Sequence, residues 1–175
     1  MDLNQRITAF SNLSLFLKNF LSDATKCEAT LNDFEHLKEE LQRVIQTANR
    51  HNAWFTPEHI TQALSSWSAA LQKDNLTTWL DAYAINSSSE KRVAVIMAGN
   101  LPLVGFHDFM SVLITGHHVV AKLSSDDQLL MPFLAKVLVK IEPGFDSKIT
   151  FTKEKLPQFD AVIATGSNNT ARYFE

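Results

Sequence analysis

Apolar residues recur at steps of three and four along the first part of the chain, which is the spacing of amphipathic helices. A second helix is predicted to open at Asn32, where Glu35 completes a capping box. Thr56 followed by Pro57 marks a third start, because threonine caps free amides and proline fits the first helical position. Residues 76–83 are predicted to form a short fourth helix. The first helix carries the apolar stripe Leu3, Ile7, Phe10, Leu13, Leu17 and Phe20.

A polar, serine-rich joint at residues 86–91 separates this pattern from a different one. Short apolar, β-branched runs after the joint predict strands, and the longer periodic runs between them predict helices. Alternation of this kind forms a parallel sheet through right-handed crossovers. The predicted strands are residues 92–98, 118–123, 148–152 and 159–164; the predicted helices are residues 103–115, closed by Gly116, and a helix capped within 124–127 that ends near 141.

We therefore expect an α/β fold in which a helical N-terminal segment precedes a mostly parallel, Rossmann-like sheet. The expected boundary lies between residues 1–87 and 88–175. The sheet is expected to be incomplete at the C-terminus, because the last predicted helix has scarcely two turns before Glu175. The chain is therefore interpreted as a fragment of a longer protein.

Composition narrows the functional classes. A chain of 175 residues that is 45% hydrophobic can build one domain with a sizeable core. Its net charge of −3 offers no broad basic field for a nucleic-acid backbone, so no nucleic-acid partner is expected. The single cysteine, Cys27, excludes an internal disulfide, and no apolar run approaches the roughly 18 residues of a membrane span. We expect a cytoplasmic protein without a membrane partner.

Ligands of open parallel sheets bind at the carboxyl ends of the strands, so the loops there are the candidate sites. After the first strand, Gly99 permits close approach and the amide of Asn100 can donate a hydrogen bond. An ordinary helix N-cap explains the same residues. After the second strand, the ammonium of Lys122 and the hydroxyls of Ser124 and Ser125 suit a phosphate or a ribose. A solvated lysine and an ordinary serine cap are the alternative.

The loop after the fourth strand carries Gly166 and Ser167 before a predicted helix start, which is typical of an anion-binding turn. Many strand-to-helix turns have the same composition. The chain contains neither a G-x-G-x-x-G nor a G-x-x-x-x-G-K-[ST] motif, so the two common phosphate-binding fingerprints are absent from its sequence.

In this order on consecutive strands, the three loops resemble the aldehyde dehydrogenase superfamily. There, a W-N-x-P-like turn, a K-P-S-E-like turn and a T-G-S turn surround the nicotinamide cofactor. The segments VIMAGNLPLVGFHD at 95–108 and ATGSNNTARY at 164–173 look most like acyl-CoA reductases related to the fatty-acid reductase subunit of bacterial luminescence. The resemblance is specific from about residue 52 to residue 175.

The resemblance implies NAD(P)H-dependent reduction of an acyl thioester, such as acyl-CoA, to an aldehyde through an enzyme-bound thioester. It implies that Asn100 is an oxyanion donor, that Lys122 and Ser124 meet the adenosine ribose, and that Ser167, beside Gly166, meets the pyrophosphate. Ser125 stands where the dehydrogenases have a glutamate that repels a 2′-phosphate. This difference favours NADP, with NAD as the alternative.

The chemistry of that family requires a thiolate, and Cys27 lies far upstream of the expected position. We interpret Cys27 as structural and expect the chain as given to be inactive. A free-standing module that binds a nucleotide or acyl-CoA without turnover is the competing hypothesis. Homo-oligomerisation also stays open, because Trp54, Phe55 and Trp67 can line an interface as well as a core.

Overall fold

The computed structural model describes residues 1–22, 34–85 and 89–165. A helical N-terminal part is followed by a four-stranded sheet with intervening helices, which confirms the expected α/β class. In chain order the elements are α1 (Leu3–Leu21), α2 (Glu35–His51), α3 (Pro57–Ala70), α4 (Lys73–Leu80), β1 (Arg92–Ile96), α5 (Phe106–Ile114), β2 (His118–Lys122), α6 (Leu130–Ile141), a 3-10 helix (Pro143–Lys148), β3 (Ile149–Thr152) and β4 (Ala161–Ala164).

Local capping explains where the N-terminal helices begin. Asp2 caps α1 in a reciprocal box with Gln5, in which each side chain accepts the other's backbone amide at 2.8 Å. Thr56 accepts the amide of His59 at 3.2 Å, and Pro57 opens α3 as predicted. The predicted cap Asn32 lies outside the described residues. The fourth helix begins at residue 73, not 76, because its first turn is polar and exposed and apolar periodicity does not detect it.

Helix α1 lies at the centre of the helical part and contacts α3, α4, α5 and α6. Its apolar stripe faces the core as predicted: Ile7, Phe10, Leu13 and Leu17 are buried, and Leu3 and Phe20 at its two ends are half-buried. Ser14 donates its hydroxyl to the carbonyl of Ser68 at 2.6 Å, and the Ser68 hydroxyl donates to the Ser14 carbonyl at 3.2 Å. This reciprocal pair fixes α1 against α3 without leaving either buried hydroxyl unsatisfied.

The sheet has the strand order β3-β2-β1-β4, and all neighbouring strands are parallel. Ile96 at the end of β1 is in register with Lys122 of β2 and with Ala164 of β4. The carboxyl ends of these three strands therefore lie along one edge. The expected parallel, Rossmann-like sheet is confirmed.

Two helices in this part begin later than the sequence predicted. Helix α5 starts at residue 106, not 103, because turns occupy residues 102–105 and Leu103 adopts a left-handed φ of 60°. Helix α6 starts at residue 130, and the preceding loop is held by the side chain of Asp127. Smaller shifts shorten the predicted strands: β1 ends at 96, β2 ends at 122, β3 begins at 149 after the 3-10 helix, and β4 begins at 161.

One cluster of buried residues includes side chains from both the helices and the sheet. The ring centroids of Phe10 and Phe145 are 5.7 Å apart, and those of Trp67 and Phe106 are 4.7 Å apart. Phe55 is fully buried in this core, whereas Trp54 is 75% exposed. Phe55 is therefore a core residue, Trp67 is partly buried against the core, and Trp54 is the exposed one of the three. None of the helices in the described ranges has the length and apolar character required to cross a bilayer.

Candidate functional site

Three strand ends and the loops that leave them form the candidate site. Strand β1 lies between β2 and β4, and its end is tied to both neighbours: the amide of Met97 donates to the Lys122 carbonyl at 3.1 Å, and the amide of Thr165 donates to the Ile96 carbonyl at 3.4 Å. The chain crosses from β1 to β2 to β3 and then returns to the other side of β1. Such a reversal creates the crevice in which open α/β sheets bind ligands.

The loops after β1 and β2 are in direct contact. A Cβ atom added to Gly99 would lie 2.6 Å from the Cβ of Ser124, closer than non-bonded carbons can approach. Glycine is therefore required at this point so that the two loops can meet. The arrangement places Asn100, the next residue, beside the loop that carries the predicted cofactor-binding groups.

Asn100 is exposed, and its side-chain amide has no hydrogen-bond partner within the described part of the chain. Helix α5 begins at Phe106 with Gly105 in the capping position, and no side chain caps it. The alternative interpretation of Asn100 as an ordinary helix cap is therefore wrong. The amide remains available to donate to a ligand in the crevice.

Asp127, which the sequence analysis assigned only to a helix cap, connects the two loops. Its Oδ2 accepts the amide of Leu103 at 3.4 Å, and its Oδ1 accepts the amide of Leu130 at 3.2 Å. The residue is buried, and burial raises the pKa of its carboxyl above the ordinary value, against the opposing effect of these amide hydrogen bonds. Asp127 thus holds the start of α6 and the strained Leu103 at the same time.

Three of the predicted cofactor-binding residues lie at the end of β2, as expected: Lys122, Ser124 and Ser125. The start of α6 does not lie directly beside them. Lys122 is half-buried, and no described residue forms an ion pair or hydrogen bond with its ammonium group. The Ser124 hydroxyl accepts the amide of Asp126 at 3.2 Å, and the Ser125 hydroxyl donates to the Asp126 carboxylate at 3.3 Å. The serines shape the loop and do not cap α6, which begins several residues later.

A cavity of about 510 Å³ opens beside this loop. Its walls come from the loop after β2, from Lys153 directly after β3, and from the last turns of α2 through Ala48 and His51. Sequence patterns do not predict that α2 reaches this edge of the sheet, because α2 and β2 are far apart along the chain.

The third predicted loop is described only at its first residue, and Gly166 and Ser167 lie outside the described residues. The hydroxyl of Thr165 donates to Oδ2 of Asp108 in the first turn of α5. The other oxygen of that carboxylate lies 3.5 Å from Nδ1 of His107. Asp108 therefore anchors the end of β4 at the crevice, a role that no local pattern indicated.

The described groups at this edge are able to hydrogen-bond a nucleotide. An ammonium group, two hydroxyls and a carboxylate are the donors and acceptors that ribose hydroxyls and phosphates require. No group of three His, Cys, Asp or Glu side chains suited to a metal ion occurs in the described ranges. Cys27 lies outside them, so its surroundings are not described.

A separate charged cluster lies at the opposite edge, where the strands begin. The ammonium of Lys148 donates to Glu90 at 2.6 Å and to the carbonyl of Gly116 at 3.3 Å, while a ring nitrogen of His118 lies 2.9 Å from the same carboxylate. These contacts lower the pKa of Glu90 to about 2, with the Lys148 hydrogen bond as the largest cause. Because these contacts join the segment before β1 to β2 and to the 3-10 helix, we assign the cluster a structural role.

Comparison with curated proteins and with solved structures gives no match. The family model described as acyl-CoA reductase (LuxC) matches residues 13–174. The match covers the helices as well as the sheet and agrees with the resemblance carried by the loops. The chain therefore belongs to the LuxC family of acyl-CoA reductases.

Proposed function

We propose that the chain is the cofactor-binding part of an NAD(P)H-dependent acyl-CoA reductase, which converts an acyl thioester to an aldehyde. The observation that carries the proposal is the alignment of the carboxyl ends of β2, β1 and β4 along one edge, where the polar loops after β1 and β2 are in contact. In this proposal residues 88–175 are the first part of the nucleotide-binding domain, and residues 1–87 are the helical N-terminal segment that precedes it. NADP is the proposed cofactor, with NAD as the alternative.

Asn100 is the proposed oxyanion donor. Its exposed, partner-free amide follows the glycine that brings the β1 loop against the β2 loop. A thioester carbonyl in the crevice accepts a hydrogen bond from this amide, and the bond strengthens as charge develops on the oxygen. Loss of one such donor costs about 3 kcal/mol of transition-state stabilisation.

The proposed binding site for the adenosine ribose, here called the adenosine corner, consists of Lys122, Ser124 and Ser125. The proposed pyrophosphate-binding turn consists of Gly166 and Ser167. The partner-free ammonium of Lys122 supports this role, because a half-buried cation gains most from an anionic ligand. Ser125 leaves room for a 2′-phosphate where a glutamate would repel it. The bound cofactor supplies the hydride that reduces the thioester.

Reduction through an enzyme-bound thioester also needs a thiolate. The chain has one cysteine, Cys27, and it lies outside the described residues. We propose that Cys27 is structural and that the chain as given binds its ligands without completing the reaction. A module that only binds a nucleotide or acyl-CoA is the second candidate function, favoured by the lack of a cysteine among those residues at the crevice that the structure describes.

Titration of the chain with NADPH and NADH tests the cofactor assignment. Lys122→Ala is expected to weaken NADPH binding by about tenfold to a hundredfold, the range for hydrogen bonds to a charged group. Ser125→Glu is expected to weaken NADPH more than NADH, because the new carboxylate repels only the 2′-phosphate. Lys155→Ala, an exposed control in the loop after β3, should change neither affinity. Unchanged affinities in all variants would refute the adenosine corner.

Turnover separates the two candidate functions. The chain with NADPH and a long-chain acyl-CoA is expected to show no NADPH consumption. Consumption that disappears in Cys27→Ser would contradict the structural role of Cys27. Addition of a thiol-bearing segment of a reductase that restores consumption would favour the reductase over the simple binding module.

A further inference from the structure

The proposed oxyanion donor lies at the tip of the loop after β1. In the segment from Met97 to Gly105, Asn100 and Leu101 are the two exposed residues. The side chain of Asn100 has no hydrogen-bond partner in the described part of the chain, so no bond of its own holds it. An oxyanion donor must nevertheless be held within about half an ångström of its working position. The position of Asn100 is therefore set by attachments of the backbone on either side of it.

Two attachments flank this tip, and both are made to the loop after β2. On one side, Gly99 packs so closely against Ser124 that no Cβ atom fits between them. On the other side, the amide of Leu103 donates to Oδ2 of Asp127 at 3.4 Å. The exposed tip is thus suspended between two points on residues 124–127, a segment that also contains the two serines of the adenosine corner.

The two attachments act in different ways. The contact at Gly99 limits how closely the loops approach, but it does not pull them together. The hydrogen bond of Leu103 holds a left-handed φ of 60°, which a residue with a side chain leaves when nothing stabilises it. Asp127 is itself fixed, because it is buried and its Oδ1 accepts the amide of Leu130 at 3.2 Å. Loss of the Asp127 carboxylate is therefore the change that releases the tip.

We infer that Asp127 is a positioning residue for Asn100, acting through the backbone of Leu103 and without contact to a ligand. The inference rests on the proposed function, because it concerns the proposed oxyanion donor. A carboxylate suits this role, since two amides need two acceptor oxygens and an asparagine offers one. The same short segment then carries groups for the cofactor and fixes the donor for the thioester oxygen.

Calorimetric titration of the chain with octanoyl-CoA tests the inference through a double-mutant cycle. Asn100→Ala is expected to weaken binding by about twofold to tenfold, the range for loss of one neutral hydrogen bond. Asp127→Ala is expected to cause a loss of similar size. The double variant should bind no more weakly than Asn100→Ala alone, because a residue that acts through Asn100 has no further effect once that side chain is gone.

Two further variants separate positioning from general stability. Asp127→Asn keeps the shape of the side chain and one acceptor, so its affinity should fall between those of the wild type and Asp127→Ala. It also replaces Asp127→Ala in the cycle if circular dichroism shows that the alanine variant does not fold. Ser14→Ala is the control, because it removes a buried hydroxyl that donates to the Ser68 carbonyl between α1 and α3. It should lower stability and leave octanoyl-CoA binding unchanged.

The outcomes distinguish the inference from the proposed function. If Asn100→Ala weakens binding but the Asp127 variants do not, Asp127 has no positioning role and the proposed function stands. The same conclusion follows if the losses at the two positions multiply in the double variant. If the wild type does not bind octanoyl-CoA, or if Asn100→Ala binds it as the wild type does, the proposed role of Asn100 fails and the positioning role fails with it.

Discussion

At the scale of single residues, Asp127 connects the two loops of the site that are in contact. It is buried, and it satisfies two amides that belong to different loops. One of those amides is that of Leu103, whose left-handed φ of 60° is costly for a residue with a side chain. The carboxylate therefore stabilises a backbone conformation that Leu103 would otherwise leave, and that conformation sets the path of the loop after Asn100.

Asp127→Ala is expected to lower the free energy of unfolding by about 2 kcal/mol or more, because each buried amide left without an acceptor costs about 1 to 3 kcal/mol. Asp127→Asn keeps one acceptor oxygen and should cost less. Asp126→Ala, an adjacent exposed position, should change stability by no more than about 0.5 kcal/mol. Urea denaturation measures all three, and equal effects for the two alanine variants would contradict the bridging role of Asp127.

At the scale of elements, strands and loops differ in how far local sequence determines them. The β-branched runs and the caps at Thr56 and Pro57 predicted strands and helices correctly because they depend on neighbours in sequence. The starts of α5 and α6 were misplaced because the loops before them are linked by a contact between residues distant in sequence, the hydrogen bond from Leu103 to Asp127. His51 at the cavity and Asp108 beside Thr165 were missed for the same reason: tertiary packing alone brings them to the site.

The contact between the loops after β1 and β2 gives a test at this scale. Gly99→Ala is expected to push the loops apart, since the new methyl group would lie 2.6 Å from the Cβ of Ser124, and NADPH binding should weaken along with stability. Ser124→Gly removes the obstructing atoms and should recover part of the stability in the double variant. A double-mutant cycle with no coupling between the two positions would show that the loops do not touch.

At the scale of the whole molecule, one shared core joins the helices to the sheet. Strand β4 differs from the other strands, because most of its side chains are exposed. The division at residues 87 and 88 stays a prediction, and the shared core predicts that both parts unfold together in one transition. Strand β4 is an edge strand in the order β3-β2-β1-β4, and Val162 is 41% exposed on it. Exposed apolar edges favour association between chains.

Val162→Lys is therefore expected to reduce self-association, because a charge on an edge strand opposes pairing with a second chain. Thr150→Lys, at an exposed polar position on the opposite edge strand, is the matched control and should have a smaller effect. Light scattering across a concentration series measures the change. A wild-type chain that stays monomeric at the highest concentration would contradict homo-oligomerisation through this edge.

The cluster at the amino ends of the strands predicts how the whole molecule responds to acid. Glu90 precedes β1 and binds Lys148 at the end of the 3-10 helix and His118 at the start of β2, so its charge ties three parts of the fold together. Its pKa falls from the ordinary 4.5 to about 2 in the folded protein. Linkage requires that the stability from this carboxylate is fully present above pH 4.5 and is lost as the pH falls from 4.5 toward 2.

Glu90→Gln removes the titrating group, so the stability difference between wild type and variant should be largest near neutral pH and shrink steadily below 4.5. Urea midpoints measured from neutral pH down to about pH 3 follow this difference. Glu154→Gln is the control, because that carboxylate is exposed and has no side-chain partner among the described residues. A wild-type advantage that stays constant through the acid range would mean that Glu90 stabilises the fold by packing and not through its charge.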